Sequence, residues 1–101
     1  MNLNKEEWWL MYSSFPDLNW ARLRVYESGK SEVFDMDGKT HNFKNEEEAT
    51  YWLSEDEFTS FNNLDKEDEK EYGINISKIK PPSAASDLKL KSLMYVKAYL
   101  A

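Results

Sequence analysis

The sequence predicts an α+β domain on three observations: an alternating apolar stretch from Trp20 to Tyr26 that runs on through two glycine turns, a succession of helix-cap signals after Phe43, and a supply of aromatic residues large enough to fill a core. At 101 residues the chain is one domain, 1–101, near the low end of sizes that fold on a single core. It has no cysteine, so burial has to come from four Trp, five Phe and six Tyr, each large ring removing roughly 150–250 Å² from water. A mean hydropathy of −0.80 with 32% charged residues leans toward disorder, but disordered chains are poor in aromatics and this one is rich.

Asn4 followed by Glu7 fits a capping box ahead of the apolar run Trp8 to Tyr12, which predicts an N-terminal helix from Lys5 to about Ser13, ended by Phe15-Pro16. Trp8 and Trp9 cannot both face the core of that helix, since helical neighbours stand about 100° apart, so one indole is expected at the boundary or against a partner. From Trp20 the period becomes two: Ala21, Leu23 and Val25 point one way, and Trp20, Arg22, Arg24 and Tyr26 the other, which reads as an amphipathic outer sheet face whose Arg side chains pair with adjacent acids. Ser28-Gly29 and Asp37-Gly38 then separate strands at Glu32–Met36 and Thr40–Phe43, the second turn expected to be type I′, giving a three-stranded antiparallel meander.

Three short acidic helices are expected next, capped by Asn45 with Glu48, Ser54 with Glu57, and Asp65 with Asp68, the last ended by Gly73. Ala49, Trp52, Leu53, Phe58, Phe61 and Leu64 are the residues expected to pack them on one face of the sheet. Ile74 to Ile79 reads as extended and Pro81 to Ser86 as a linker, so 83–101 stands as an appended C-terminal element. Its last segment, Asp87 to Ala101, is read as a helix capped by Ser86, with a fourth strand as the alternative.

Catalytic chemistry finds little here. His41 is the one histidine, no G-x-S-x-G elbow exists, and the acids are too many to single out a tuned pair, so the chain is not read as an enzyme. Asp35-Met36-Asp37-Gly38 does not make a calcium loop, because its glycine stands fourth where an EF-hand needs it sixth. Phosphate-binding glycine loops are absent, and no cofactor or metal is expected. The N-terminus lacks a basic region followed by an apolar run, and no stretch approaches 18 apolar residues, so a cytoplasmic protein with no membrane contact is expected.

Charge is what the sequence distributes most unevenly. Between Glu46 and Tyr72 there are eleven Asp or Glu against two Lys, while Gly73 to Ala101 carries five Lys against one Asp, within a net charge of −6. Such a field attracts cationic surfaces and repels phosphate backbones, which argues against direct nucleic-acid binding even by the Trp20/Arg22/Arg24/Tyr26 stripe. The acids can be solvated helix faces that favour solubility, or a docking surface for a basic protein. For the second reading the candidate partner-binding residues are Glu55, Asp56, Glu57, Phe58, Asp65, Glu67, Asp68, Glu69, Glu71 and Tyr72, with Tyr51 beside them. The alternative is a structural or regulatory subunit that assembles through the Trp20/Arg22/Arg24/Tyr26 face and the C-terminal segment.

The pattern Trp20-x-Arg22, Gly29, Val33-x-Asp35-x-Asp37-Gly38, Phe43, Glu47-Glu48-Ala49-x-x-Trp52-Leu53-x-Glu55-Asp56-Glu57-Phe58, Tyr72-Gly73-Ile74 and Pro81-Pro82 resembles small acidic bacterial immunity proteins of polymorphic or contact-dependent growth-inhibition toxin systems. The resemblance covers about residues 20–82 and leaves the lysine-rich tail outside it. It implies a cytoplasmic protein that binds one toxin domain, often a nuclease with a basic cleft, and blocks it by occlusion or substrate mimicry. It puts no catalytic residue on the chain.

Overall fold

The computed structural model describes residues 2–11, 18–72 and 76–96. The expected helix end at Phe15-Pro16, the Gly73 terminator and the tail from 97 onward lie outside these residues. The fold is α+β, built on an antiparallel sheet of strands β1 (Leu3–Met11), β2 (Leu18–Tyr26), β3 (Ser31–Phe34), β4 (Thr40–Phe43) and β5 (Thr59–Ser60) in the order β4-β3-β2-β1-β5. A two-residue strand β6 (Tyr95–Val96) pairs with the start of β2, on the edge that β3 occupies further along. The helices are α1 (Glu46–Glu55), α2 (Lys66–Tyr72) and α3 (Asp87–Lys91).

The N-terminal segment is a strand, not the expected helix. In β1 neighbouring side chains point to opposite faces, and both faces of its second half are covered: Leu10, with Trp8 against it, joins one core and Trp9 joins the other. A strand therefore gives both indoles a covered site, which no single helix could. The register sets Leu10 opposite Trp20, Trp8 opposite Arg22 and Trp9 opposite Ala21.

The central strand β2 is covered on both sides as well. Ala21, Leu23 and Val25 pack with Val33, Trp9, Ala49 and Leu53 beneath α1. The other face, expected to look outward, is closed by the chain's own C-terminal third: Leu18 and Trp20 pack with Leu10, Phe34, Ile79, Leu90 and Met94. Trp20 makes edge contacts to Trp8 at 6.0 Å and Phe61 at 5.6 Å, and its backbone N–H donates to the Met94 carbonyl at 2.8 Å.

Strands β2, β3 and β4 pair as a meander, but within a larger sheet that also takes in β1, β5 and β6 rather than the expected three-stranded one, and neither turn is type I′. In each, a glycine N–H donates back three residues, Gly29 to Tyr26 and Gly38 to Asp35, and the glycine adopts positive φ (92° and 80°) as a bulge residue. Asp37 does not share that conformation, because the Asp35 carboxylate accepts the N–H groups of Asp37 and Lys39 and holds the loop in an Asx turn.

Asn45 caps α1 as predicted, accepting the Glu48 N–H at 2.9 Å. The second expected helix is absent: Ser54 lies inside α1, which ends at Asp56 with Glu57 at φ 65°. The Phe58 N–H donates to the Leu53 carbonyl and the Glu57 N–H to that of Ser54, a Schellman closure with a glutamate where glycine is usual. The chain then enters β5 and a 3-10 turn at Phe61–Asn63. Asp65 and Asp68 cap α2 reciprocally, and Ser86 caps α3 through the Lys89 N–H. Ile76–Lys78 is a 3-10 turn rather than extended chain. The C-terminal segment is a five-residue helix followed by β6, so both expected forms occur in sequence.

Candidate functional site: an acidic aromatic groove on the first helix

The acidic run does not form one patch, and the helices do not share one face of the sheet. Ala49 and Leu53 set α1 on the Leu23 face, with Trp52 and Phe58 against them. Phe61, Leu64 and Ile76, which flank α2, pack on the opposite Trp20 face. The division comes from the sharp exit at Glu57, after which β5 pairs with the outer edge of β1.

Several predicted docking residues also hold the fold together. Phe58 is half-buried against the Leu53 core. Asp65 accepts the N–H groups of Glu67 and Asp68, Asp68 accepts that of Asp65, and Glu69 accepts that of Ile76. Glu67 is exposed on the first turn of α2. Glu71 and Tyr72 belong to α2, and their side chains are outside the described residues. Glu55, Asp56 and Glu57 are exposed together at the C-terminal end of α1, where the last turn holds no basic residue.

A groove of about 490 Å³ runs along α1, lined by Phe43, Asn45, Glu47, Glu48, Tyr51, Trp52 and Glu55. Helical spacing builds it: Glu47, Tyr51 and Glu55 stand four apart on one stripe, and Glu48 and Trp52 four apart on the next. Phe43, at the end of β4, closes the far side, its ring 5.7 Å from that of Trp52. His41 braces Trp52 with ring centroids 4.7 Å apart, and its Nε2 lies 2.7 Å from the Asp35 carboxylate. Burial works to raise the Asp35 pKa, but the hydrogen bonds from His41, Lys39 and Asp37 outweigh it and hold the carboxyl below its ordinary value. The Tyr51 ring is 68% exposed, and the hydrogen bond of its hydroxyl to Glu55 pushes its pKa up. Trp52 packs against the core and Phe43 ends a strand, as their patterns predict, and both also line the groove, for which the i, i+4 spacing of Glu47, Tyr51 and Glu55 is the sequence signal.

The Arg22/Arg24 stripe is neutralised inside the fold. Arg22, 3% exposed, forks onto Asp87 at 2.9 and 3.4 Å and lies 5.0 Å over the Phe34 ring. Its Nε is buried without a hydrogen bond. Arg24 pairs with Glu6 at 2.9 Å, and the Tyr26 hydroxyl bonds to Glu32. Trp20 and Arg22 are thus covered by the chain's own C-terminal segment, while Arg24 and Tyr26 stay partly exposed.

No helix among the described residues is long and apolar enough to cross a membrane, and no group of three or more acidic or histidine side chains is placed to hold a metal ion. No family model matches the sequence, and comparison with curated proteins and with solved structures finds no match.

Proposed function

We propose that the protein is a non-enzymatic inhibitor of the immunity type, which binds a basic protein domain such as that of a cognate bacterial toxin and covers its cationic site. The observation that carries this reading is the placement of Glu55, Asp56 and Glu57 at the C-terminal end of α1, with no basic residue in the last turn. A negative charge there opposes the helix macrodipole, by about 0.3–1 kcal/mol for an exposed group. Helix stability therefore does not account for these acids; solubility or attraction of a cationic partner does, and the exposed Tyr51 ring beside them favours the partner. The acids of the first turn, Glu46, Glu47 and Glu48, suit the macrodipole, and Glu46 also pairs with Lys5.

The mechanism has two stages. Long-range attraction steers the basic domain toward α1, and aromatic side chains beside the acids are then buried against it. No cofactor, metal or chemical step is involved, and the inhibitor acts in the cytoplasm of the cell that makes it. The test is the association rate of the captured partner with a variant carrying Glu55→Lys, Asp56→Lys and Glu57→Lys. At low salt the rate is expected to fall by about an order of magnitude or more, with the difference shrinking as salt is added. An unchanged rate at low salt, with the variant folded by circular dichroism, contradicts the proposal.

A further inference from the structure

We infer that the groove between α1 and the end of β4 seats an arginine side chain of the partner, between the Phe43, Trp52 and Tyr51 rings and the carboxylates of Glu47, Glu48 and Glu55. This deepens the proposed function and rests on its premise that the partner is a basic protein.

The argument is charge complementarity at an aromatic surface. Some acids elsewhere are matched by a cation, Glu6 by Arg24, Glu46 by Lys5 and Asp87 by Arg22, whereas this groove combines unpaired carboxylates with three aromatic rings. Among the described residues none of the three groove carboxylates forms an ion pair, and no Lys or Arg lines the groove. Glu48 accepts the Lys44 N–H, a neutral partner that orients the carboxylate without cancelling its charge. The cavity over Arg22 and Arg24 differs, since its two cations already pair with Asp87 and Glu6.

A guanidinium suits this groove better than an ammonium. It is planar, weakly hydrated, stacks on aromatic faces and forks onto carboxylates, whereas an ammonium is a compact, strongly hydrated point charge. Trp52 is held between the His41 and Phe43 rings, so this part of the aromatic surface is ordered before a ligand arrives.

The test uses a hexa-arginine peptide, with hexalysine as comparison, titrated into the full chain while the tryptophan indole N–H signals are followed by NMR. The Trp52 signal is expected to move and the buried Trp20 signal to stay. Tyr51→Ala is expected to weaken hexa-arginine binding by about 2- to 10-fold, and Glu47→Gln with Glu55→Gln to weaken it further. Glu67→Gln, on α2, is expected to have little effect. If hexa-arginine binds while Trp52 stays still, or if Glu67→Gln costs as much as Tyr51→Ala, the groove is not the seat and only the general acidic reading survives. Equal affinity for hexalysine overturns the arginine assignment. Absence of binding even at low salt removes the groove and the acidic reading together.

Discussion

Glu57 holds a left-handed backbone conformation, φ 65°, that the fold requires and its side chain disfavours. The Schellman closure needs it there: only with this residue turned left can Phe58 reach the Leu53 carbonyl and place its ring against the Leu53 core. For a residue with a Cβ this conformation costs about 1–2 kcal/mol. Glu57→Gly removes that cost, returns about 0.4–1 kcal/mol through the greater freedom of the unfolded chain, and relieves an acid at the wrong end of the helix dipole worth about 0.3–1 kcal/mol. The net expectation is stabilisation by about 1 kcal/mol, or about 4–8 °C in Tm for a chain of this size. Urea unfolding followed by tryptophan fluorescence reads it as a higher midpoint at unchanged slope. Glu57→Gln isolates the charge, and the glycine variant is expected to exceed it by about 0.5–1 kcal/mol. A glycine variant no more stable than the glutamine variant refutes the claim that α1 ends in a strained turn.

Leu53, fully buried beneath α1, is expected to cost about 2–5 kcal/mol as Leu53→Ala, while the exposed Tyr51→Ala is expected to leave the unfolding midpoint nearly unchanged; denaturant curves compare the two. Asn45→Ala removes the α1 cap and is expected to destabilise by about 1 kcal/mol in the same assay. Asp87→Asn deprives the buried Arg22 of its charged partner, and because Asp87 itself is more than half exposed the loss is expected between the surface and buried extremes, about 1–3 kcal/mol. The hydrogen bond from Arg22 lowers the Asp87 pKa, so the stabilisation is present above the ordinary carboxylate range and lost as pH falls through the lower folded value. Acid unfolding of Asp87→Asn should accordingly show a shallower pH dependence than the parent chain. A steeper one contradicts the assignment of this ion pair.

What was legible in the sequence was whatever local chemistry decides. The alternation of Trp20 to Tyr26, the glycine turns, and the caps at Asn45, Asp65 and Ser86 all formed where residue type required them. The first strand was not legible, because Leu3 to Met11 carries a cap-like Asn4/Glu7 pair and no clean alternation; only the Trp8-Trp9 doublet pointed to two opposed cores. β5 and β6 are two residues each and exist because β1 and β2 offer open edges, so tertiary pairing creates them. The acids of the candidate site were visible as a run, but their division between two faces depends on Glu57 turning the chain, a conformation for which glutamate gives no signal. The outward reading of Arg22 failed for a related reason: its cover, Leu90 with Asp87 beside it, lies more than sixty residues away in sequence.

The central claim, that the acids on α1 recruit a basic protein, is tested most directly by parallel capture from the native cell's lysate. The baits are the parent chain and the variant with Lys at 55, 56 and 57, each at low and at high salt. The account predicts one basic protein domain retained by the parent chain at low salt, released by high salt, and missing from the variant. The same proteins on both baits, or a complex indifferent to salt, contradicts it.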